Sequence, residues 1–309
     1  MTEHRFGGPW TEIKLDAVEY YLQCYARALK SVGFDLWYVD AFAGTGDREE
    51  EREIGGILEG TPIEIVKETL AGSARRALAI EPRFDHFHFN EQDSTRYEVL
   101  AGVEKEFSGR HIIVTAEDAN ELLAHTFSRH PWRSGPNSKT RGVVFLDPYA
   151  LQVEWKTLQV LARTRAVDVW YLFPLRDVTR QLSHHRSGIG PKERRMDLVL
   201  SERWRELYSL PPPEKVLRQT DFFESFIDQE EERNATQKQI EQWFKQLLAS
   251  EFAYVSDPLP LLTGGSRQAF SLFLCVANPS SKAVELAKHF HGHVMKNFAP
   301  GASRRKCVP

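Results

Sequence analysis

Four carboxylates in the first half of the chain stand at the ends of short apolar runs. Asp40 follows "LWYV", Glu91 follows "FHFN", Asp118 lies just beyond "HIIVT", and Asp147 follows "VVFL". Asp40 leads into "DAFAGTG", whose Ala43, Gly44 and Gly46 make a turn where backbone can approach a ligand closely. Glu91 can accept from both hydroxyls of a ribose, as an acid at the end of a second strand does in dinucleotide folds. Asp118 can accept from an adenine amino group, and the fourth run ends in Asp147, Pro148 and Tyr149. Each feature alone has a plainer reading. Glycine turns are common, Asp118 can cap the helix "ELLAHTF", and Asp147–Pro148 can simply end a strand. In order on consecutive strands they point to a cofactor that carries a nucleoside.

The elements that must position these residues follow from periodicity. Leu15, Val18, Leu22, Tyr25 and Leu29 give one face of an N-terminal helix, which Gly33 ends. The runs "DLWYVDAFAG", "DHFHFNEQD", "HIIVTAEDAN", "VVFLDPYAL" and "AVDVWYLFP" read as five strands alternating with helices. Residues 47–60 read as a charged surface loop, and "TPIEIVKETL" and "SARRALAI" as helices. Residues 176–250 are charged and mostly helical, interrupted by "PPP" at 211–213. "EFAYVSDPLPLL" and "QAFSLFLCVAN" read as a closing antiparallel hairpin turned at "TGGS", before a last helix and a frayed tail. This alternation is the pattern of an α/β fold with a mostly parallel, doubly covered sheet. Ligands in such sheets sit beyond the carboxyl ends of the strands, where the four acids lie. The expected organisation is a core over 1–175, a helical insertion over 176–250 that reads substrate or partner, and core completion over 251–309.

Composition narrows the function. The 309 residues are 41% hydrophobic with a formal net charge of -3, so a core is affordable and no whole-protein basic field exists. Nucleic-acid binding would therefore need a local patch. The apolar runs are too short for a membrane span, the start has no signal-like segment, and the three cysteines (Cys24, Cys275, Cys307) form no CxxC pair. A reducing cytoplasm is the expected location. "GxGxxG" is not met, because Asp47, Arg48 and Glu49 follow Gly46, and no "GxxxxGK[ST]" occurs. A cofactor without pyrophosphate suits this turn, and S-adenosylmethionine is one.

"DAFAGTG" resembles the first motif of class I S-adenosylmethionine-dependent methyltransferases, and "DPYA" resembles the "DPPY" motif of those that act on adenine or cytosine amino groups. A fuller resemblance covers nearly the whole chain. "WYVDAFAGTG", "FHFNEQD", "AEDAN", "VFLDPYALQVEW" and "VDVWYLFP" are similar to the three-Cys-motif partner proteins (TcmP), bacterial proteins named for a separate radical-enzyme-like partner. Asn90 departs from that pattern, which carries an apolar residue before the acid. The resemblance implies a Rossmann-like methyltransferase fold with a seven-stranded sheet. It implies that Asp40, Ala43, Gly44 and Gly46 line the methionine side of S-adenosylmethionine, that Glu91 holds the ribose, and that Asp118 and Ala119 meet the adenine. Asp147 would then polarise an acceptor amine and Tyr149 would stack on it, with one proline of the motif missing.

The expected activity is methyl transfer to an RNA or DNA amino group. Carbon methylation of cytosine is excluded, since no cysteine lies between 24 and 275. Arg176, Arg180, Arg186, Arg194 and Arg195, with Trp170, Tyr171 and Phe173 just before them, can form a phosphate-tracking patch with aromatics beside it. The competing reading is a solvated helical surface. Two rival functions stand beside the enzyme: a catalytically silent scaffold serving the three-Cys-motif partner, and a metal-dependent nuclease using Asp40, Glu91 and Asp147. No metal ligands are assigned, and "HFHGHV" reads as surface histidines at a helix end.

Overall fold

The computed structural model describes residues 9–56, 61–132, 138–210, 230–263 and 267–302. Its main sheet is built on β1 (Asp35–Asp40). On one side lie β4 (His86–Asn90) and β5 (His111–Thr115), and on the other β6 (Thr140–Leu146) and β7 (Val167–Phe173), all parallel. Beyond β7 runs β12 (Arg267–Val276), antiparallel, and β10 (Tyr254–Val255) and β11 (Leu259–Thr263) pair with its outer edge. The order is therefore β5-β4-β1-β6-β7-β12, closed by β10 and β11. The expected parallel sheet and closing antiparallel strands are both present. The "TGGS" turn falls almost entirely outside the described residues, as do the "PPP" run and the basic tail.

The central strands are buried on both faces, which is why they read as continuous apolar runs. Their alternation feeds two cores. Leu36 and Tyr38 of β1, Val143 and Phe145 of β6, and Trp170 and Leu172 of β7 face one side. That side is covered by α1 (Pro9–Lys30), α2 (Ser73–Leu78), α3 (Ser94–Glu106) and a C-terminal helix, Ser281–Phe298. Val39, Val144, Leu146, Val169, Tyr171 and Phe173 face the other. There α4 (Ala119–Phe127), α5 (Trp155–Arg163), α6 (Leu175–Gln181), α7 (Glu193–Leu200) and α8 (Gln237–Ala249) pack. The helices of 175–249 share this core: Phe244 of α8 stacks on Phe173 with ring centroids 3.9 Å apart. Trp170, Tyr171 and Phe173 are thus spent on the two cores, at 1% exposure or less, and cannot stack on a nucleic acid.

One stretch corrects the sequence reading. Residues 47–56 are not a loop and "TPIEIVKETL" is not a helix, while 57–60 lie outside the described residues. β2 (Asp47–Gly56) and β3 (Thr61–Ala71) form an antiparallel pair separate from the main sheet. The missed signal is β-branched enrichment, with Ile63, Ile65, Val66 and Thr69 in β3. Repeated charges in β2 masked the strand, because neither face of it is uniformly apolar.

Candidate functional site

The glycine turn that follows β1 is fixed by the acid at the end of the neighbouring strand. Gly44 (φ +62°) and Gly46 (φ +81°) both occupy the left-handed region that side chains resist. Gly44 N–H donates to Glu91 Oε2 at 3.1 Å, and Asp93 N–H donates to Glu91 Oε1 at 2.9 Å. Ala43 N–H donates to Asn90 O at 2.9 Å, so the turn is laced to the end of β4. Glu91 is 4% exposed, and both its oxygens are already engaged by backbone.

Asn90, the departure from the expected pattern, is the hub beneath. Its amide donates to Ala41 O (3.2 Å) and Glu117 O (3.0 Å), and its carbonyl accepts from Thr115 Oγ1 (2.9 Å) and Glu117 N (3.0 Å). An apolar side chain could not join three strand ends in this way. Asp118 serves as the N-cap of α4, accepting from Asn120 N at 2.9 Å and Glu121 N at 3.2 Å. The capping reading is therefore correct, and it leaves lone pairs on the same carboxylate for a ligand. Asn120 in turn donates to Gln152 O (2.9 Å) and accepts from Glu154 N (2.9 Å), tying α4 to the loop after β6.

Above these strand ends opens a cavity of about 430 Å³. Phe42, Glu91, Asp118, Ala119, Asn120 and Tyr149 are among its lining residues, with Arg96 and Arg195 at its polar wall. The size suits a small-molecule ligand. Asp40, Ala43, Gly44, Gly46, Asp147 and Pro148 do not line it. Arg96, on the first turn of α3, lies over the ring of Tyr149 at 4.7 Å and donates to its hydroxyl. A second cavity, of about 340 Å³, shares Gln152 and Arg195 with the first and adds Arg180 and Asp177. Of the five arginines assigned to substrate, Arg180 and Arg195 thus meet. Arg176 faces Asp177 at 3.7 Å, Arg186 is paired with Glu231, and Arg194 is exposed on α7.

Charge beneath the turn is arranged unevenly. Asp40 is fully buried; burial pushes its carboxyl up to about 7, against Ser73 and the Phe42 N–H, which favour the charged form. Its Oδ2 meets no hydrogen-bond partner among the described residues. Asp147 is different. Lys14 of α1, buried to 5% side-chain exposure, is ion-paired with its Oδ2. Lys14 also lies over Trp10, 5.3 Å from the ring centroid. The sequence reading missed Lys14, although Lys14, Val18, Tyr21 and Tyr25 share one helical face, and a lysine in a buried stripe needs a partner. Asp40, Glu91 and Asp147 are not gathered for a common ion. Among the described residues, the group of three with ligand spacing is His184, His185 and Glu232. The surface-histidine reading also changes: His291 is buried, while His289 and His293 are one turn apart with ring centroids at 4.7 Å.

The strand order decides the fold. A central strand with two parallel neighbours on each side, followed by an antiparallel strand inserted before the last edge, is the seven-position sheet of the class I methyltransferases. This chain has that fold. No protein-family model matches the sequence, and no curated protein matches it. Solved structures similar to it include a Legionella pneumophila protein of family model DUF519, at 12% identity and TM-score 0.49, covering 97% of this chain and 96% of the other. They also include Trm1 of Pyrococcus horikoshii in complex with S-adenosyl-L-methionine, at 15% identity and TM-score 0.44, covering 91% of this chain and 58% of Trm1. A third is the putative methyltransferase yhhF of Escherichia coli, at 15% identity and TM-score 0.30, covering 50% and 69%. The fold assignment rests on the strand order, not on these likenesses. No described helix is long and apolar enough to cross a membrane.

Proposed function

We propose that this protein binds S-adenosylmethionine at the carboxyl ends of β1, β4 and β5 and transfers its methyl group to a nucleic-acid amino group. One observation carries the reading: a residue assigned to the cofactor, Glu91, and one assigned to the acceptor, Tyr149, line a single cavity beside the glycine turn. Asp118 and Ala119 bound the adenine end, and Glu91 bounds the ribose. Accepting from a ribose requires Glu91 to share oxygens that hold Gly44 and Asp93, so cofactor binding and turn geometry are coupled. Asp147, two residues before Tyr149 though outside the cavity lining, would offer Oδ1 to the amine. A carboxylate accepting the N–H of an amino group directs the nitrogen lone pair away from the acid, toward the sulfonium methyl. Lys14 holds that carboxylate in one orientation. Tyr149, 48% exposed, offers its ring to a flat base once Arg96 releases it. Arg195 and Arg180 supply the contacts for an adjacent phosphate. A base within a duplex would have to be flipped into this space.

The test is calorimetric titration of the purified chain with S-adenosylmethionine and S-adenosylhomocysteine, then methyl transfer to RNA and DNA. Binding in the micromolar range that weakens about tenfold in Asp118→Ala supports the site. No heat and no thermal shift with either ligand overturns it.

A second reading has its own support. All three acids nearest the turn are engaged internally: Asp40 by burial, Glu91 by backbone and Asp147 by Lys14. A methyltransferase fold whose acids serve structure suits a silent scaffold for a three-Cys-motif partner. Cofactor binding without turnover on any acceptor, together with capture of that partner, distinguishes it from the enzyme.

A further inference from the structure

We propose that His184, His185 and Glu232 form a binding site for a divalent transition-metal ion, with Zn²⁺ the ion that best suits the donors. The site lies where the segment after α6 meets β9 (Glu232–Arg233), and none of its residues lines the cofactor cavity. It is independent of methyl transfer.

The donor set is specific. Two imidazoles and a carboxylate are ligands for zinc and its neighbours, whereas calcium and magnesium take oxygen alone. One ligand-capable atom from each residue lies within 4.8 Å of the others. His184 Nε2 is 3.9 Å from Glu232 Oε2. Two donors each bound about 2.0–2.1 Å from a tetrahedral zinc stand about 3.3 Å apart, so small side-chain rotations close the shell. The two imidazoles have room to make them, at 58% exposure for His184 and 52% for His185.

The backbone is already in place. His185 and Glu232 form an antiparallel bridge, Arg233 N–H donates to His184 O at 2.7 Å, and Arg186 N–H donates to Glu231 O at 3.0 Å. β9 is held from its other side by β8 (Tyr208–Ser209). Binding therefore orders three side chains rather than two chain segments, which keeps its entropic cost low. Glu230 adds a further carboxylate: its Oε1 accepts from Ser187 N–H at 2.9 Å, and its Oε2 is 3.7 Å from His185 Nδ1. It is placed to complete the coordination or to orient the imidazole, the role that outer carboxylates take at zinc sites.

Arg186 is paired with Glu231, and the Arg233 guanidinium donates to Leu182 O and Ala235 O. A bound ion would tie residues 184–185 to 232 and close the excursion of chain between them. Its expected effect is stabilisation of this part of the molecule rather than chemistry on a substrate.

The test uses the full chain without a histidine tag, stripped with chelator and dialysed, then titrated calorimetrically with ZnCl₂ and followed optically with Co²⁺. The expected result is one saturable equivalent, a rise in Tm with Zn²⁺, and visible Co²⁺ bands. His184→Ala and Glu232→Gln should each weaken binding at least about tenfold. The double variant His289→Ala/His293→Ala, which removes the other close histidine pair, should bind as the parent does. Circular dichroism and Tm of the metal-free variants, matching the metal-free parent, establish that they fold. No saturable binding overturns the proposal. So does binding that survives His184→Ala and Glu232→Gln, or binding that is lost with His289 and His293.

Discussion

Lys14 and Asp147 are ion-paired across 133 positions of sequence, joining the first helix to the corner that ends β6. The ammonium is buried at 5% side-chain exposure, and the carboxylate is partly open at 23%. The pairing holds the acid in one orientation. Lys14→Met is expected to cost about 2 kcal/mol, less than the loss of a fully buried pair because water reaches Asp147. The pair Lys14→Met/Asp147→Asn should lose less than the sum of the single changes, by about 1 kcal/mol or more. Urea unfolding of the four proteins measures this, and strict additivity would mean that the two side chains do not interact.

Asp40 and Asp168 are expected to lower stability as pH rises from about 4 to about 7, while buried His88 and His291, whose imidazoles burial holds below their ordinary value, act in the opposite direction. Asp40 and Asp168 are buried, and burial pushes both carboxyls from 3.8 up to about 7, with Tyr21 donating to Asp168 at 2.6 Å. Between those values the folded chain holds protons that the unfolded chain has released. The unfolded state therefore gains on the folded one as pH climbs, by up to about 1.4 kcal/mol per pH unit for each such group. Asp40→Asn and Asp168→Asn each remove one titration. Their denaturation midpoints should depend less on pH over this window, and unchanged slopes would place the groups in a more solvated setting.

Asn90→Leu should be among the costlier single changes at the site. It leaves the Glu117 N–H, the Thr115 hydroxyl and the buried Ala41 carbonyl without the amide that joins them. About 2–3 kcal/mol is expected, from buried groups losing their partners. A denaturation curve that matches the parent's would show that water replaces the amide freely.

The two glycines of the turn should respond differently. A Cβ on Gly44 would meet nothing within 4 Å, so Gly44→Ala carries only the backbone cost of φ +62°, about 1 kcal/mol. A Cβ on Gly46 would stand 3.1 Å from Val103 Cγ2 and 3.3 Å from Leu100 Cδ1, adding a packing clash to φ +81°. Gly46→Ala should therefore be the more destabilising, by a further 1 kcal/mol or about that. Equal Tm losses would contradict the assignment of α3 as the neighbour that requires glycine there.

Much of the architecture was written in the order of the residues. Five apolar runs alternating with helical stripes dictated a parallel sheet, because strands buried on both faces have no polar side to show. The acids at their ends marked the carboxyl edge of the sheet, because an unpaired charge is costly inside it. What defeated the reading was local ambiguity: in the sequence of β2 and β3 charges recur at both odd and even positions, and period alone does not tell such a strand from other structure. Asn90 looked like a defect until its amide was seen joining three strand ends.

The sequence by itself determined the fold class, the glycine turn and the strand-end acids, since these depend on local propensity and on burial of apolar runs. Only the tertiary structure decided what each acid touches. Asp147 meets Lys14, Glu91 holds Gly44, and Asp118 caps its helix, while Asp40 lies buried beneath the turn. Likewise His184 and His185 meet Glu232 only because an antiparallel bridge brings distant segments together. A residue's type sets which partners it can accept. The chain's path through space sets which partner is there, and that contact fixes its charge and orientation.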